Sequence, residues 1–430
     1  MQIYQYPDND KWNEIAQRPF IDNTLLEKTV RKILDKVKEK GDKALRKYSK
    51  EFDEVNLKKF LVSEKELSEA EALLSNELKQ AIQQAKQNIE TFHKAQKEEI
   101  KKIETMPGVM CWRKSVAIEK IGLYIPGGSA PLFSTVLMLG IPAQLAGCKE
   151  IILASPPTPL LAERGAQIHP AILYAAQLCG VHKIFKVGGA QAIAAMAYGT
   201  DSILKVSKIF GPGNQYVTMA KQLVQQQGVA IDMPAGPSEV LVIADETAVP
   251  EFVAADLLSQ AEHGADSQVI LITTSELLAE KVIIAIGDQL EEIPRKEIAR
   301  QALQNSRLVV VKNMEEAIDL SNLYAPEHLI LSCNNAEQVA EQIISAGSVF
   351  IGNYSPESAG DYASGTNHTL PTNGYAAMYS GVSLDSFVKK ITFQQLTKEG
   401  LQNIGGIVME MASAEGLDAH KNAIAIRLKQ

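Results

Sequence analysis

An alternation of short apolar runs with amphipathic helical segments fills most of the chain and constrains its fold more than any other feature. It runs from about residue 118 to residue 233, and starts again after the turn MPAGPSE with the strand EVLVIAD. Strand, helix and strand in this rhythm form parallel sheets that are covered by helices on both faces. The sequence therefore predicts an α/β protein with two tandem Rossmann-like, doubly wound parallel-sheet domains.

The segments outside this alternation complete the predicted domain organisation. We assign residues 1–22 to an N-terminal arm, 23–116 plus 238–380 to a first Rossmann-like domain, 117–237 to a second one, and 381–430 to a C-terminal tail. A chain of 430 residues is too long for one ordinary core.

Local patterns describe the helical N-terminal segment and the tail. From residue 24 to about 100 the spacing of apolar residues is helical, with a stop or interruption at Gly41 and one longer helix expected from Ser63 to Lys97. The tail is too short and too polar to bury a core of its own. We therefore expect it to dock elsewhere, for example on a second subunit.

Composition argues against several functional classes. The formal net charge of −8 argues against nucleic acid, whose phosphates need a clustered basic face. Residues 121–148 carry no charge, but prolines and glycines break them into strand, turn and helix, so no membrane span is expected. The N-terminus has no signal-peptide pattern, and a cytoplasmic protein is expected. The cysteines show no CxxC spacing and are interpreted as reduced, small buried hydrophobes: Cys111, Cys148, Cys179 and Cys333.

The first candidate metal ligands lie at the end of a predicted helix. Gln260 and His263 are three residues apart in the string QAEHG, so both side chains can project from one face and hold one metal ion. A polar helix end, with His263 stabilised by the helix dipole, is the commoner interpretation of two such residues alone.

Three further pairs of polar residues could carry chemistry. Glu327 and His328 immediately precede a buried strand, where they could share proton transfer, although an exposed strand cap fits the spacing equally well. Asp361 and His368 lie in a glycine-rich loop, at residues 353–379, that is long enough to suggest a function, with disorder as the alternative. The third pair lies in the tail and consists of Glu415 and His420.

The signals for a nucleotide cofactor are weaker. The glycine turns IPGGSAP, VGGAQA and FGPGN follow successive predicted strands, where phosphates are often bound. None is a GxGxxG motif with a suitably spaced acidic residue, and no GxxxxGK[ST] motif occurs. The pattern alone supports a ligand-binding α/β sheet and does not identify the ligand as NAD.

Several long strings nevertheless resemble the histidinol dehydrogenase family. The similarity runs from about residue 20 to residue 425, and only the segment TPLLAERGAQIHP looks like a small insertion. The strings that carry it are GLYIPGGSAPLFSTVLMLGIPAQLAGC, VGGAQAIAAMAYGT, KIFGPGNQYVT, DMPAGPSEVLVIAD, LLSQAEHG, NLYAPEHL, SAGDYASGTNHTLPT and AEGLDAH.

This resemblance implies a role for each candidate residue. Glu327 and His328 would be the catalytic acid–base pair. The zinc ligands, one ion per subunit, would be Gln260, His263, Asp361 and His420. Histidinol would be held by these ligands together with Ser238, His328, His368 and Glu415. The NAD contacts would be Tyr124, Gln191 and Asn214.

The resemblance also implies an activity and an assembly. The expected reaction is the zinc-dependent, four-electron oxidation of L-histidinol to L-histidine through L-histidinaldehyde with two NAD, in histidine biosynthesis. The family is homodimeric, and its tail crosses to the neighbouring subunit, where His420 and Glu415 would complete the partner's site. The alternatives are a related zinc and NAD dehydrogenase of another small alcohol such as a sulfonated diol, a zinc hydrolase, and a non-catalytic binding protein.

Overall fold

Two parallel β-sheets form the framework of the protein, whose computed structural model describes residues 1–18, 24–127, 131–157 and 167–429. The strands are β1 Gln2–Gln5, β2 Lys102–Met106, β3 Val109–Ala117, β4 Lys120–Tyr124, β5 Glu150–Ser155, β6 Lys183–Lys186, β7 Lys208–Phe210, β8 Ala230–Ile231, β9 Glu239–Ala244, β10 Gln268–Thr273, β11 Arg307–Val310, β12 His328–Ser332, β13 Ser348–Ile351 and β14 Val388–Leu396. The helices are α1 Trp12–Ile15, α2 Thr24–Lys40, α3 Asp42–Phe52, α4 Glu64–Ala72, α5 Asn76–Lys94, α6 Phe133–Ala146, α7 Pro170–Leu178, α8 Gly189–Tyr198, α9 Gln215–Gln225, α10 Pro250–Ala261, α11 Glu276–Leu290, α12 Lys296–Gln304, α13 Met314–Tyr324, α14 Ala336–Ala340, α15 Glu357–Tyr362, α16 Lys398–Ala414 and α17 Asp418–Leu428.

Both parallel sheets have the doubly wound order. The five-stranded sheet runs β6-β5-β4-β7-β8, and the six-stranded sheet runs β1-β11-β10-β9-β12-β13. In the five-stranded sheet the chain starts in the middle, builds one side, and then crosses back to build the other; β9 to β13 do the same in the six-stranded sheet, where β1 is added at the edge, and all pairings are parallel. The predicted pair of Rossmann-like sheets is confirmed. The strands are apolar and buried because helices cover both faces.

Helices cover the six-stranded sheet from two sides. The helices α10, α11 and α12 build the core on one face, and α1, α13 and α14 build it on the other. On the five-stranded sheet, α8 and α9 cover one face and α6 and α7 the other. This distribution leaves the strand ends, rather than the sheet faces, free to carry a site.

The N-terminal helices pack on the five-stranded sheet. The helices α2 and α3 contact α8, and α4 and α5 contact α7 and α6 respectively. The predicted division groups residues 23–116 with residues 238–380, and this grouping stays a prediction. The periodicity of an amphipathic helix says which face is apolar but not which sheet it covers. The exact domain boundaries, one of which falls among residues 19–23 outside the described ranges, stay a prediction.

Capping residues explain where the N-terminal helices begin and end. Gly41 has a φ of +48° and separates α2 from α3, as expected for the predicted stop. The single helix expected from Ser63 to Lys97 is instead two helices. Ser63 forms a capping box at the start of α4, and the hydroxyl of Ser75 accepts a hydrogen bond from Leu78 N–H at the start of α5.

Strand pairing between distant segments is the part of the fold that the sequence pattern missed. The strands β14, β3 and β2 form a three-stranded antiparallel sheet, which joins the tail to residues 102–117. The N-terminal arm contributes β1, which adds to the edge of the six-stranded sheet beside β11. The helices α16 and α17 pack against each other, and α17 buries no residue.

Two sequence features fall partly outside the described ranges. Most of the small insertion suggested in TPLLAERGAQIHP, residues 158–166, lies there, as do residues 128–130 of the glycine turn IPGGSAP. Among the described helices, none combines the length and the low polarity that crossing a membrane requires.

Candidate functional site

The predicted catalytic pair lies at the amino edge of the six-stranded sheet. The strands β9 and β12 are neighbours where the strand order reverses, and they begin with Glu239 and His328 respectively. Open α/β sheets usually bind ligands at the carboxyl ends of their strands at such a reversal. Here the charged groups gather at the opposite edge, where Glu327 precedes β12.

One ring nitrogen of His328 forms a hydrogen bond, and the other has no hydrogen-bond partner among the described residues. Its Nδ1 lies 3.1 Å from the carbonyl oxygen of Glu239. A carbonyl can only accept a hydrogen bond, so Nδ1 carries the proton. Nε2 is buried, lies 3.6 Å from Oδ1 of Asp361, and has no hydrogen-bond partner among the described residues. Nε2 is therefore the ring nitrogen that remains available to exchange a proton.

Two buried carboxyl groups flank His328. Burial raises the pKa of both Glu327 and Glu357 to about 8, although the neighbouring imidazole favours their charged forms. Desolvation disfavours a charged His328 ring, but Glu357 and Glu327 outweigh it and hold the pKa of that ring well above its usual value. This cluster consequently consists of groups with strongly shifted pKa values, which are common at functional sites.

Asp361 and His368 are brought together by the loop that follows α15. The Nδ1 of His368 donates to the backbone carbonyl of Asp361 at 2.7 Å, and its Nε2 lies 3.0 Å from the hydroxyl of Thr135 on α6. Desolvation raises the pKa of Asp361, but His328 and His368 outweigh it, so the net pKa is lowered. Helix α15 thus places an ionised carboxylate beside His328, the loop after it places His368 against Asp361, and the predicted alternative of disorder does not apply here.

Gln260 and His263 approach the cluster from the end of α10. Gln260 is completely buried, and its amide lies against the carboxyl group of Glu357. With the amide nitrogen facing Glu357, the amide oxygen lies 3.3 Å from Glu239 N–H. Desolvation lowers the pKa of His263 and outweighs the attraction of Asp361, so its ring favours the neutral form that metals bind.

The donors in this cluster fit a divalent metal ion. His328, Glu357 and Asp361 each offer a ligand atom, and these atoms lie within 4.8 Å of one another. Oδ1 of Asp361 and Nε2 of His328 are both buried without a hydrogen-bond partner among the described residues. Buried polar atoms are normally paired, so an ion near them would satisfy an unmet requirement. Imidazole nitrogen with carboxylate or amide oxygen is a donor set that zinc accepts.

The residues expected to contact NAD lie at the carboxyl edge of the five-stranded sheet. Tyr124 ends β4, Asn214 follows β7, and these strands are neighbours where the order reverses. The Tyr124 hydroxyl accepts a hydrogen bond from Gly189 N–H at 3.0 Å, and burial raises its pKa to about 12. Gln191 is buried in the first turn of α8. This edge is the usual nucleotide position of a doubly wound sheet.

One cavity lies between residues from these two edges, although Glu327 and His328 are not among its lining residues. Its volume is about 770 Å³, and its wall includes Asn214 from the five-stranded sheet together with Ser238 and His263 from the six-stranded side. Arg18 and Asn373 also line it. Two ligands, one at each sheet edge, could therefore meet in the same space.

The two tail residues of the predicted site lie elsewhere in the subunit. Glu415 follows the last residue of α16, His420 lies in the first turn of α17, and both are exposed. Within the described part of the chain, no hydrogen bond or ion pair joins either side chain to His328, Glu357 or Asp361. Of the four predicted zinc ligands, only Asp361 belongs to the group of described residues whose donor atoms lie within 4.8 Å of one another. Gln260 lies against Glu357 of that group, and the charge of Asp361 acts on the ring of His263.

Three residues of the cluster were not among the sequence candidates. Glu357 precedes Asp361 by four residues, a helical spacing that could have identified it. Glu239 is a charged residue at the head of an apolar strand, which is a weaker signal. Arg18 pairs with Glu239 at 2.5 Å, and no local pattern points to it.

Gly347 allows the backbone to pass close to the catalytic pair. A Cβ atom there would lie 2.5 Å from the carbonyl oxygen of Glu327 and 3.1 Å from Cβ of Leu370. We expect Gly347→Ala to lower the free energy of unfolding by about 1–3 kcal/mol through overpacking, and to lower activity by displacing Glu327. Denaturant unfolding and steady-state rates measure both effects.

Gly287→Ala is the matched control for this substitution. A Cβ at Gly287, in α11, meets no atom within 4 Å, so alanine should maintain or slightly raise stability there. If Gly347→Ala behaved like Gly287→Ala in both measurements, the close approach would have no consequence.

Comparison with known proteins gives a consistent result over the full length of the chain. The family model described as histidinol dehydrogenase matches residues 16–428. Histidinol dehydrogenase from Bacteroides thetaiotaomicron is 60% identical over 428 residues, covering 100% of this chain and 99% of the relative. Histidinol dehydrogenase from Escherichia coli K12 is 54% identical over 422 residues, covering 97% and 95% respectively.

A solved structure resembles the whole fold. The crystal structure of histidinol dehydrogenase from Elizabethkingia anophelis has a TM-score of 0.97 with this chain at 60% sequence identity. The match covers 100% of this chain and 98% of that one.

Proposed function

The chain belongs to the histidinol dehydrogenase family of NAD-dependent oxidoreductases, and on this premise we propose that it oxidises L-histidinol to L-histidine through L-histidinaldehyde with two NAD. The observation that supports this most directly is the cavity that joins Asn214 to Ser238 and His263. A nucleotide at the carboxyl edge of one sheet would face a substrate at the amino edge of the other.

A zinc ion would be held by Gln260, His263 and Asp361 of one subunit. When bound, zinc would orient the imidazole and the amine of histidinol through its open coordination positions. His368 would contribute to substrate binding from the same loop, because its ring is already fixed by Thr135 and the Asp361 carbonyl. Ser238 would contact the substrate from the cavity wall.

His328 would act as the base in both oxidations. Its Nδ1 is fixed as a donor by the carbonyl of Glu239, so Nε2 would take the proton of the substrate hydroxyl as the carbon loses hydride. Hydration of the aldehyde creates a second hydroxyl, and the same nitrogen would remove its proton. Tyr124, Gln191 and Asn214 would hold NAD, which supplies the hydride acceptor in each oxidation.

Glu327 would activate water between the two oxidations. Its Oε2 accepts a hydrogen bond from Glu239 N–H at 2.8 Å, and no hydrogen bond among the described residues engages Oε1. A carboxyl group with a pKa of about 8 is well matched to proton transfer near neutral pH. Retaining the aldehyde in the cavity would protect it from side reactions.

We further propose that two subunits share each site. Glu415 and His420 are exposed on a tail whose helix α17 buries no residue, as expected for a segment that packs on another subunit. His420 of the partner subunit would then supply the fourth zinc ligand, and Glu415 of the partner subunit would bind substrate. This arrangement would explain why one subunit holds only part of the predicted set.

A cytoplasmic location is also part of the proposal. All four cysteines are free; Cys179 and Cys333 are buried as predicted, whereas Cys111 and Cys148 are only half-buried. Burial raises the pKa of Cys179 to about 12 and those of Cys148 and Cys333 to about 11. Such thiols are unreactive and fit a reduced compartment.

The proposal is tested by counting NADH formed per histidinol consumed. We expect about two NADH per molecule from two successive hydride transfers, and loss of activity on chelation with recovery after zinc is added. One NADH per molecule would contradict the second oxidation. Turnover of a sulfonated diol in preference to histidinol, or hydrolysis without any change in NAD absorbance, would favour the alternative functions.

Substitution of Glu327 should separate the two oxidations. Glu327→Gln keeps the shape of the side chain but removes the base for hydration, so we expect the second oxidation to slow by about 10- to 100-fold more than the first. Single-turnover assays started from histidinol and from histidinaldehyde measure the two steps. The exposed Glu119→Gln variant serves as the control. Equal losses in both steps would contradict this role.

A further inference from the structure

Arg18 forms a buried ion pair at the head of β9. Its Nε donates to Oε1 of Glu239 at 2.5 Å, and its terminal nitrogen donates to Oε2 at 3.0 Å. The two side chains are 15% and 4% exposed, and the guanidinium lies 3.9 Å from the ring centroid of Tyr324. Bidentate pairing with stacking fixes the guanidinium in both position and orientation.

The same guanidinium also binds the end of α13. It donates to the backbone carbonyl of Tyr324 at 2.7 Å and contacts that of Ala325 at 3.4 Å. These belong to the last helical turn, where carbonyl groups lack partners within the helix. Ala325 has a φ of +51°, which is unfavourable for alanine, so the turn needs such external contacts. Two residues later the chain reaches Glu327.

Glu239 in turn positions both members of the catalytic pair through its backbone. Its N–H donates to Glu327 Oε2 at 2.8 Å, and its carbonyl accepts from His328 Nδ1 at 3.1 Å. Arg18 therefore contacts the β9 residue that orients the two side chains and the turn that carries their backbone. Its own side chain contacts neither Glu327 nor His328 in these hydrogen bonds.

We propose that Arg18 is a positioning residue for the reaction, which fixes Glu327 and His328 by joining the head of β9 to the turn after α13. This inference rests on the proposed function, in which those two side chains transfer protons. Arg18 lies 221 residues from Glu239 and 306 from Tyr324 in sequence, so the N-terminal segment contributes to the site although none of its residues was predicted to.

A comparison of single and double variants distinguishes positioning from stability. In Arg18→Met, buried Glu239 loses its counter-ion, so we expect both the melting temperature and kcat to fall. In Arg18→Met/Glu239→Gln, no buried charge is left unpaired, so the melting temperature should recover. The turn after α13 still lacks the hydrogen bonds from Arg18. We therefore expect kcat to stay about 10- to 100-fold below that of the wild type, as is usual when catalytic groups are slightly misplaced.

The Michaelis constant and a conservative variant give two further readouts. We expect kcat to fall by a larger factor than KM for histidinol rises, because Arg18, although it lines the cavity, contacts the residues that orient the proton-transfer groups. Arg18→Lys should restore part of the melting temperature but little of kcat, since an ammonium cannot make the same planar set of contacts. A crystal structure of the double variant should show a displaced Glu327 carboxyl group.

Lys186→Met is the matched control, because Lys186 forms a comparably buried ion pair with Glu66 away from the catalytic pair. It should lower the melting temperature and retain kcat. The inference is overturned if the Arg18 and Glu239 double variant regains kcat together with stability, or if Arg18→Met leaves kcat unchanged. These outcomes are separate from the proposed function, which fails only if the wild-type enzyme does not oxidise histidinol.

Discussion

His328→Asn is expected to slow both oxidations by about 10²- to 10⁴-fold, the usual contribution of a positioned general base. The alcohol and the hydrated aldehyde each have to lose a hydroxyl proton, and the free Nε2 of His328 is the atom placed to receive it. This separates His328 from Glu327, whose loss should affect chiefly the second oxidation.

Asparagine is chosen because it preserves the local structure. Its amide nitrogen occupies nearly the same position as Nδ1 and can still donate a hydrogen bond to the Glu239 carbonyl. Strand β12 should therefore still begin at residue 328. Single-turnover NADH formation from histidinol and from histidinaldehyde, each with saturating substrate, measures the effect. Melting temperature and zinc content should remain close to those of the wild type.

His169→Asn is the matched histidine control. The ring of His169 accepts a hydrogen bond from Ala171 N–H at the start of α7, and asparagine caps helices equally well. That variant should retain full activity. If His328→Asn kept the wild-type rate in either oxidation, His328 could not be the base for that step.

The two doubly wound parallel sheets could be predicted from sequence because they depend on local signals. Buried parallel strands read as apolar runs, and short connections in an alternating pattern leave few arrangements of the sheet. Glu327 and His328 were visible as polar residues at the head of such a run. Their exact partners were not, because strand periodicity does not say which edge of which sheet faces a cavity.

Contacts between distant segments account for what the sequence could not provide. The antiparallel sheet of β14, β3 and β2 has exposed residues on much of β2 and β14, so neither strand shows the alternation that marks a half-buried sheet. The pairing of Arg18 with Glu239 likewise spans 221 residues. Such contacts are specified by packing in three dimensions and leave no pattern at either segment.

His420, the proposed fourth zinc ligand, provides the sharpest test of the proposed shared site. A tail that stays on its own subunit (cis) and a tail that crosses to the partner (trans) predict opposite results in mixed dimers. Both His263→Ala and His420→Ala homodimers should lose tight zinc binding and activity, since each site would lack one ligand. A heterodimer of one His263→Ala subunit and one His420→Ala subunit can be isolated with two different tags. If the tail crosses to the partner subunit, one of its two sites keeps every ligand. We expect about half of the wild-type activity and about one zinc per dimer.

A second heterodimer, in which one subunit carries both substitutions, should give the opposite result. It pairs a wild-type subunit with one that carries both His263→Ala and His420→Ala. If the tail crosses, the wild-type subunit lacks the partner's His420 and the other subunit lacks His263, so neither site is complete and activity should be close to zero. If each subunit used its own tail, this dimer would keep about half of the activity and the first heterodimer would have none. Because each dimer carries the same two substitutions in total, loss of stability cannot produce the opposite pattern, and only the path of the tail determines which one is active.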